Sequence, residues 1–375
     1  MIGNNKYTHG ARQLDALVFY DYLQVKGGAE RVFSNFLQLF ESVEGVVHYI
    51  DKNYATEEVG QKIVKELSEH APHRYLSHFA TPLRFLSIHP DFLPPSKVNI
   101  YSGFYSPLQV FRSKAERNFY YCHTPPRHWY DMAKYYQENE RWLVNWLIGL
   151  QKCWLESQYK SSLLRMDKVI CNSENVRSRL FRYLGIDSVV VYPPCDIAKY
   201  HWQPSQGYYL SLARLENYKR IEDIVLAFCD MPDKKLVVAS GGSLLEPMRQ
   251  LVQEKNASNI SFTGWVDEQS LTRLIENCIA TIYLPIDEDF GMSPVESMAA
   301  GKPVIGINEG GVMETIQHEQ TGLLLEPEFV REQLIGAIST MNEVNAEQMR
   351  HACTIRASHF SAESFNNKLK SIIWT

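Results

Sequence analysis

The sequence predicts an α/β protein of two successive domains, each built on a parallel sheet. Short apolar, β-branched runs alternate with helical patterns along the chain. The alternation breaks once, at paired prolines, and then restarts. The 375 residues are 45% apolar and 22% charged, with no low-complexity tract, which is a globular composition long enough for two cores.

The first series of strands is expected at 16–20, 46–50, 98–101, 118–122, 168–171 and 189–192. Their continuous apolar character is that of parallel strands covered on both faces. Helices are expected at 29–40 and 173–184, the second with Ser173 as N-cap ahead of Val176 and Leu180. Pro193 and Pro194 stop regular structure, which places a linker at 193–205 and divides the chain into domains 1–195 and 196–375. The second series has strands at 207–212, 235–239, 259–262, 279–283, 303–307 and 322–325. Helices lie between and after them near 220–229, 244–255, 267–277, 294–300 and 329–341, with Asp267 as an N-cap. A last helix at about 361–374 is expected to cross back onto the first domain. Two strand–helix series mean two Rossmann-like domains.

Residues 1–14 lack the apolar run of an export signal, and no run of about 18 apolar residues is present. The seven cysteines form no C-x-x-C pair and no His/Cys cluster, so they read as reduced thiols of a cytoplasmic protein. A net charge of −5 argues against a nucleic-acid partner; residues 1–187 nonetheless carry +4 and the remainder −9. That split either suits a first domain facing something anionic or is chance asymmetry. The helical stretch 140–164 holds Trp142, Trp146 and Trp154 beside Arg141, Lys152 and Lys160, with Arg165 next. One reading is a helix lying at a membrane surface, a peripheral contact at the inner face of the plasma membrane. The other is an aromatic core under a long helix.

The residues that carry chemistry concentrate in 288–305. A strand leads through a glycine-containing turn into a helix whose expected N-cap is Ser293, with Pro294 at N1. The turn offers backbone amides to an anionic or polyhydroxyl ligand, and Glu288 and Glu296 can accept from its hydroxyls. Ser293-x-x-Glu296 reads equally as a capping box. Arg214 and Lys219 follow the 207–212 strand, where two cations either hold a pyrophosphate or sit in a solvated loop. Gly27-Gly28 follows the first strand and opens a helix, so a phosphate meets no Cβ there. It is not G-x-G-x-x-G, which excludes an NAD-dependent dehydrogenase. His123 stands just past the 118–122 strand, and Ser240-Gly241-Gly242-Ser243 and Thr263-Gly264-Trp265-Val266 end two more strands. No Asp/Glu pair is placed for a hydrolase-like double displacement.

Taken together these segments resemble one family. Residues 288–305 look like the E-x7-E signature of the family-4 retaining glycosyltransferases, which have the GT-B fold. Arg214-Leu215 with Lys219, Gly310-Gly311 with Glu314, and Thr321-Gly322-Leu323-Leu324 resemble its other second-domain elements. Gly27-Gly28-Ala29-Glu30-Arg31 resembles its glycine-rich loop, and His123-Thr124-Pro125-Pro126-Arg127 a segment of its O-antigen mannosyltransferases. The implied fold is GT-B, two Rossmann-like domains whose parallel sheets face an interdomain crevice. The first domain would bind the acceptor and the second the nucleotide sugar.

The resemblance implies that Arg214 and Lys219 hold the donor diphosphate, Glu288 positions the sugar, and His123 hydrogen-bonds it near the acceptor. Around these catalytic residues, donor contacts are expected from Gly27, Gly28, Arg127, Ser240, Gly241, Trp265 and Val266. The Phe290–Gly291–Met292 backbone would contact the sugar, and Glu296 the ribose. The reaction would be retaining and free of metal and cofactor. It would move mannose from GDP-mannose onto a glycan or lipid-linked oligosaccharide in cell-surface polysaccharide or lipopolysaccharide synthesis. A UDP-hexose is the rival donor, and a non-catalytic glycan-binding scaffold the rival class.

Overall fold

The structure is a computed structural model that describes residues 13–24, 27–51, 62–70, 77–139 and 141–375. The polar N-terminal stretch up to Arg12, and Glu140 at the head of the Trp-rich segment, lie outside these residues. The chain divides into two compact units, one running to Tyr192 and including Lys368–Thr375, the other Pro193–Asn367.

The first unit holds strands β1 (Leu14–Leu23), β2 (Val43–Ile50), β3 (Ile63–Glu66), β4 (Ser96–Tyr101), β5 (Arg117–Cys122), β6 (Lys168–Cys171) and β7 (Val189–Val190). They form a parallel sheet in the order β3-β2-β1-β4-β5-β6-β7. Its helices are α1 (Gly28–Leu39), α2 (Ser77–Ser87), α3 (Ala133–Asn139), α4 (Trp142–Leu163) and α5 (Glu174–Leu184). Phe19, Val46, Tyr101, Tyr120 and Cys171 pack between sheet and helices in one core, as strands apolar on both faces require. Ser173 caps α5 by accepting from the Val176 amide at 3.0 Å. The long α4 is buried along one side and exposed along another. Val144, Gln151, Leu155 and Tyr159 are buried, whereas Trp142 and Trp146 face outward.

The second unit holds β8 (Tyr208–Ser211), β9 (Lys235–Val238), β10 (Ile260–Phe262), β11 (Thr281–Tyr283), β12 (Val304–Ile307) and β13 (Gly322–Leu325), ordered β10-β9-β8-β11-β12-β13 and again parallel. Its helices are α6 (Ile221–Cys229), α7 (Leu245–Glu254), α8 (Glu268–Asn277), α9 (Met292–Ala299), α10 (Val312–Thr315), α11 (Arg331–Thr340), α12 (Glu343–Ser358) and α13 (Ala362–Ile373). Asp267 caps α8 through the Ser270 amide at 2.8 Å. The tail of α13 is counted with the first unit, where Arg117 donates to the Ile373 carbonyl at 2.7 Å.

The structure corrects the expected N-cap at Ser293. The α9 N-cap is Gly291 at φ 87°, with Ser293 and Pro294 inside the first turn. A left-handed residue suited to glycine starts the helix earlier than a serine cap would. The capping box Ser293-x-x-Glu296 therefore does not form, and Glu296 is a buried residue within α9.

Strand order reverses between β1 and β4 in one unit and between β8 and β11 in the other. In open parallel sheets such reversals open a crevice beyond the strands' carboxyl ends, because the flanking helices go to opposite faces. The sequence-predicted residues gather at those two ends.

Candidate active site

In the second unit, β8 delivers Arg214 and Lys219 and β11 delivers Glu288. Lys219 forms an ion pair with Glu288, so the expected diphosphate cation and the expected sugar carboxylate neutralise each other. The Lys219 ammonium also stands 5.1 Å from the Tyr218 ring centre and 5.6 Å from that of Tyr283, both attractive to a cation. Burial works against its charge, and Tyr283 and Glu288 more than offset that, holding it above the ordinary lysine value. Lys219 is thus a fixed cation. Arg214 is exposed, with the Tyr218 hydroxyl 3.5 Å away.

Glycines bring these loops together. A Cβ on Gly310, at φ 59°, would lie 2.6 Å from the Glu288 carbonyl oxygen, and one on Gly311 2.4 Å from that of Asp289. The Gly311 amide donates to the Glu288 carbonyl at 2.8 Å. The loop after β12 therefore clamps the backbone that carries Glu288. The Phe290 ring is buried against Phe360, which leaves the backbone of this turn to meet a ligand.

Beyond β9, Leu215 donates to the Gly241 carbonyl at 3.0 Å, which joins this turn to the Arg214 loop. Ser240 is buried there. A Cβ on Gly241 would meet the Trp265 Nε1 at 2.2 Å, so the indole lies directly on this backbone while 72% exposed. Val266 is partly buried beside it in sequence. Together the carboxyl edge of β8–β11 offers a buried cation, a second exposed cation, a carboxylate and an open aromatic face.

In the first unit, His123 follows β5, and its Nε2 is 2.9 Å from the Ser102 hydroxyl just past β4. The Tyr121 and Tyr20 rings lie 5.2 and 6.3 Å away in edge-on contact. Burial lowers the imidazole to about 4. It is therefore neutral near pH 7, able to donate or accept a hydrogen bond but not to serve as a cation. In the same unit, the buried Asp21 accepts from the amides of Phe104, Tyr105 and Ser106 at 2.6, 2.9 and 2.8 Å. Asp21 thereby ties the loop that carries Ser102 to the end of β1.

Two expected contacts of this unit look different in place. Gly27 is the N-cap of α1, but a Cβ there would lie 2.6 Å from a Glu30 carboxylate oxygen, and Glu30 also accepts from the Tyr20 hydroxyl at 3.1 Å. A carboxylate thus already faces the Gly27–Gly28 helix start that the sequence offered to a phosphate. Arg127 donates to Asp131 at 2.7 Å, and the buried Arg179 approaches the same carboxylate at 3.9 Å. Arg179, Asp21, Ser102 and Tyr283 are site residues that sequence reasoning missed. Their partners lie far away along the chain and leave no local pattern.

Residues 196–359 match the family described as glycosyl transferases group 1. The match falls within the second unit. The chain is 26% identical over 368 residues to the alpha-1,3/1,6-mannosyltransferase ALG2 of Saccharomyces cerevisiae, covering 79% of this chain and 70% of that protein. With the mouse ALG2 it shares 25% over 247 residues, 60% of this chain and 59% of the relative, so the match spans about three fifths of that protein's length. Among solved structures it superposes on the sucrose-phosphate synthase of Thermosynechococcus elongatus with a TM-score of 0.77 at 18% identity, covering 96% of this chain and 98% of the other. HepE of Anabaena, solved in complex with UDP and glucose, gives 0.75 at 14% identity, with 97% and 100% covered. These likenesses show that the chain has the GT-B fold.

Proposed function

We propose that this protein is a glycosyltransferase that moves mannose from GDP-mannose onto a growing, lipid-linked glycan of the cell surface, with retention of configuration and without a metal ion. The observation that carries the reading is the buried Lys219 beside Glu288 at the carboxyl end of β8 and β11. A fixed cation there stabilises negative charge on a departing nucleoside diphosphate, a role a divalent metal fills elsewhere. When the diphosphate draws Lys219 to itself, the Glu288 carboxylate is released to accept from sugar hydroxyls. Arg214 supports the same diphosphate from the exposed side. The neutral His123 orients a sugar or acceptor hydroxyl by hydrogen bonding and shapes the acceptor pocket. The mannose donor is supported by the ALG2 relatives, which are named mannosyltransferases, and by the His123–Arg127 segment.

A UDP-hexose donor is the second reading, favoured by the likeness to HepE, whose structure holds UDP and glucose. Nucleotide release from GDP-mannose and from UDP-glucose, measured in EDTA with an extract of bacterial lipid-linked glycans as acceptor, separates them. Release of GDP with transfer to lipid is the expected result. Release of UDP instead moves the donor to the second reading, and loss of all release on adding EDTA overturns the metal-free mechanism.

A further inference from the structure

The exposed face of α4 belongs to neither cluster of site residues. From Trp142 to Leu155 the helix holds one charged residue, Lys152. Its inner face is buried at Val144, Leu155 and Tyr159, the last two within the core of the first unit. Its outer face presents Trp142 at 78% exposure, Leu143 at 49%, Trp146 at 56% and Leu150 at 43%. These positions fall on one side at helical spacing, so the chain leaves an apolar stripe in water where helices ordinarily turn a polar face. No helix among the described residues is long and apolar enough to cross a membrane.

The charges around the stripe identify its occupant. Exposed Arg141 precedes it, and exposed Lys160 and Arg165 follow it. None of the exposed described residues from Arg141 to Arg165 is acidic, and the exposed Glu138 ahead of them is met by Lys134 at 3.8 Å. The nearest carboxylate of the helix, Glu156, accepts from the Tyr130 hydroxyl at 2.9 Å and lies 3.8 Å from Lys152. We infer that α4 is a membrane-docking helix, seated in the surface of a bilayer rich in anionic phospholipid headgroups. Its two exposed tryptophans, Trp142 and Trp146, lie at the headgroup level and its bases pair with lipid phosphates. Indole rings suit that depth, being apolar in body with one polar N–H, and flanking bases add attraction to anionic lipid. A second copy of the chain fits less well. A two-fold contact through this stripe sets base against base at both ends, whether the helices run parallel or antiparallel.

The inference goes beyond the donor reading, and its test uses no nucleotide sugar, so failure of one leaves the other standing. The experiment is flotation of the full chain with vesicles of phosphatidylglycerol and phosphatidylcholine at 3:7, and with phosphatidylcholine alone. Wild type and the double variant Trp142→Ser, Trp146→Ser are compared at about 0.1 M salt, with melting curves of both. Wild type should float with the anionic vesicles and at least 10-fold less with the neutral ones. The double variant should remain in the dense fraction with an unchanged melting point. Wild type failing to float, or the folded variant floating equally well, overturns the inference. Concentration-dependent dimers that the variant abolishes, with no flotation, assign the face to a second copy instead.

Discussion

Lys219 and Glu288 hold each other's charge in the structure, and the proposed function gives each a separate task once a diphosphate arrives. Lys219→Met keeps the buried stem and removes the cation, so the Kd for nucleoside diphosphate should rise roughly 10- to 100-fold by calorimetric titration. Glu288→Gln keeps the shape of the turn. It should leave that Kd within a few fold and lower turnover by roughly 100-fold. Equal losses of binding in both variants would mean that the pair only supports the loop. Asp21 gives a second test, away from the diphosphate. Burial raises its carboxyl from 3.8 to about 6, against the opposing pull of three amides. Because the folded value lies above the unfolded one, its stabilising contribution is complete below about pH 4 and is lost as pH rises through 6. The shift corresponds to about 3 kcal/mol. Urea unfolding from pH 4 to 7 should therefore show wild type losing up to about 3 kcal/mol relative to Asp21→Asn. A difference independent of pH contradicts the assignment.

At the scale of elements, the clamp of the β12 loop on the Glu288 turn makes a sharp comparison. An Ala at Gly310 must take φ 59° and place its Cβ 2.6 Å from the Glu288 carbonyl oxygen. Gly310→Ala should lower the melting point and weaken nucleotide binding together. Gly336, within α11, has nothing within 4 Å of an added Cβ. Gly336→Ala should stabilise by roughly 0.5–1 kcal/mol and leave binding unchanged. If the two variants melt alike, the clamp is not what holds the turn. The twelve strands expected from apolar runs were legible because helices cover both sheet faces. Other elements were not. In β3, Ile63-Val64-Lys65-Glu66 is half charged. The second helix contains Pro82, and α12 buries only Ala346, Cys353 and Ala357, too small to mark an apolar stripe. Arg214, Lys219 and Glu288 were legible from motif and strand-end position. The Asp21–Ser102–His123 arrangement was not, since it joins three strand ends more than 80 residues apart in sequence at its extreme.

For the molecule as a whole, two parallel sheets each reverse strand order once, and each reversal collects a separate set of polar groups. The Lys219–Glu288 pair, to which the proposal gives the diphosphate, belongs to the second unit and the neutral imidazole to the first. The central claim, a nucleotide sugar held by Lys219 without metal, is tested most directly by thermal unfolding of wild type and Lys219→Met. Both are melted in EDTA with GDP, GDP-mannose, UDP, UDP-glucose and ADP. Ligand at about 100 times its Kd stabilises the folded state by about 2.7 kcal/mol. The account predicts a raised melting point for wild type with GDP and GDP-mannose and little or none for Lys219→Met at the same concentrations. No shift with any nucleotide, or an equal shift in the variant, would contradict it.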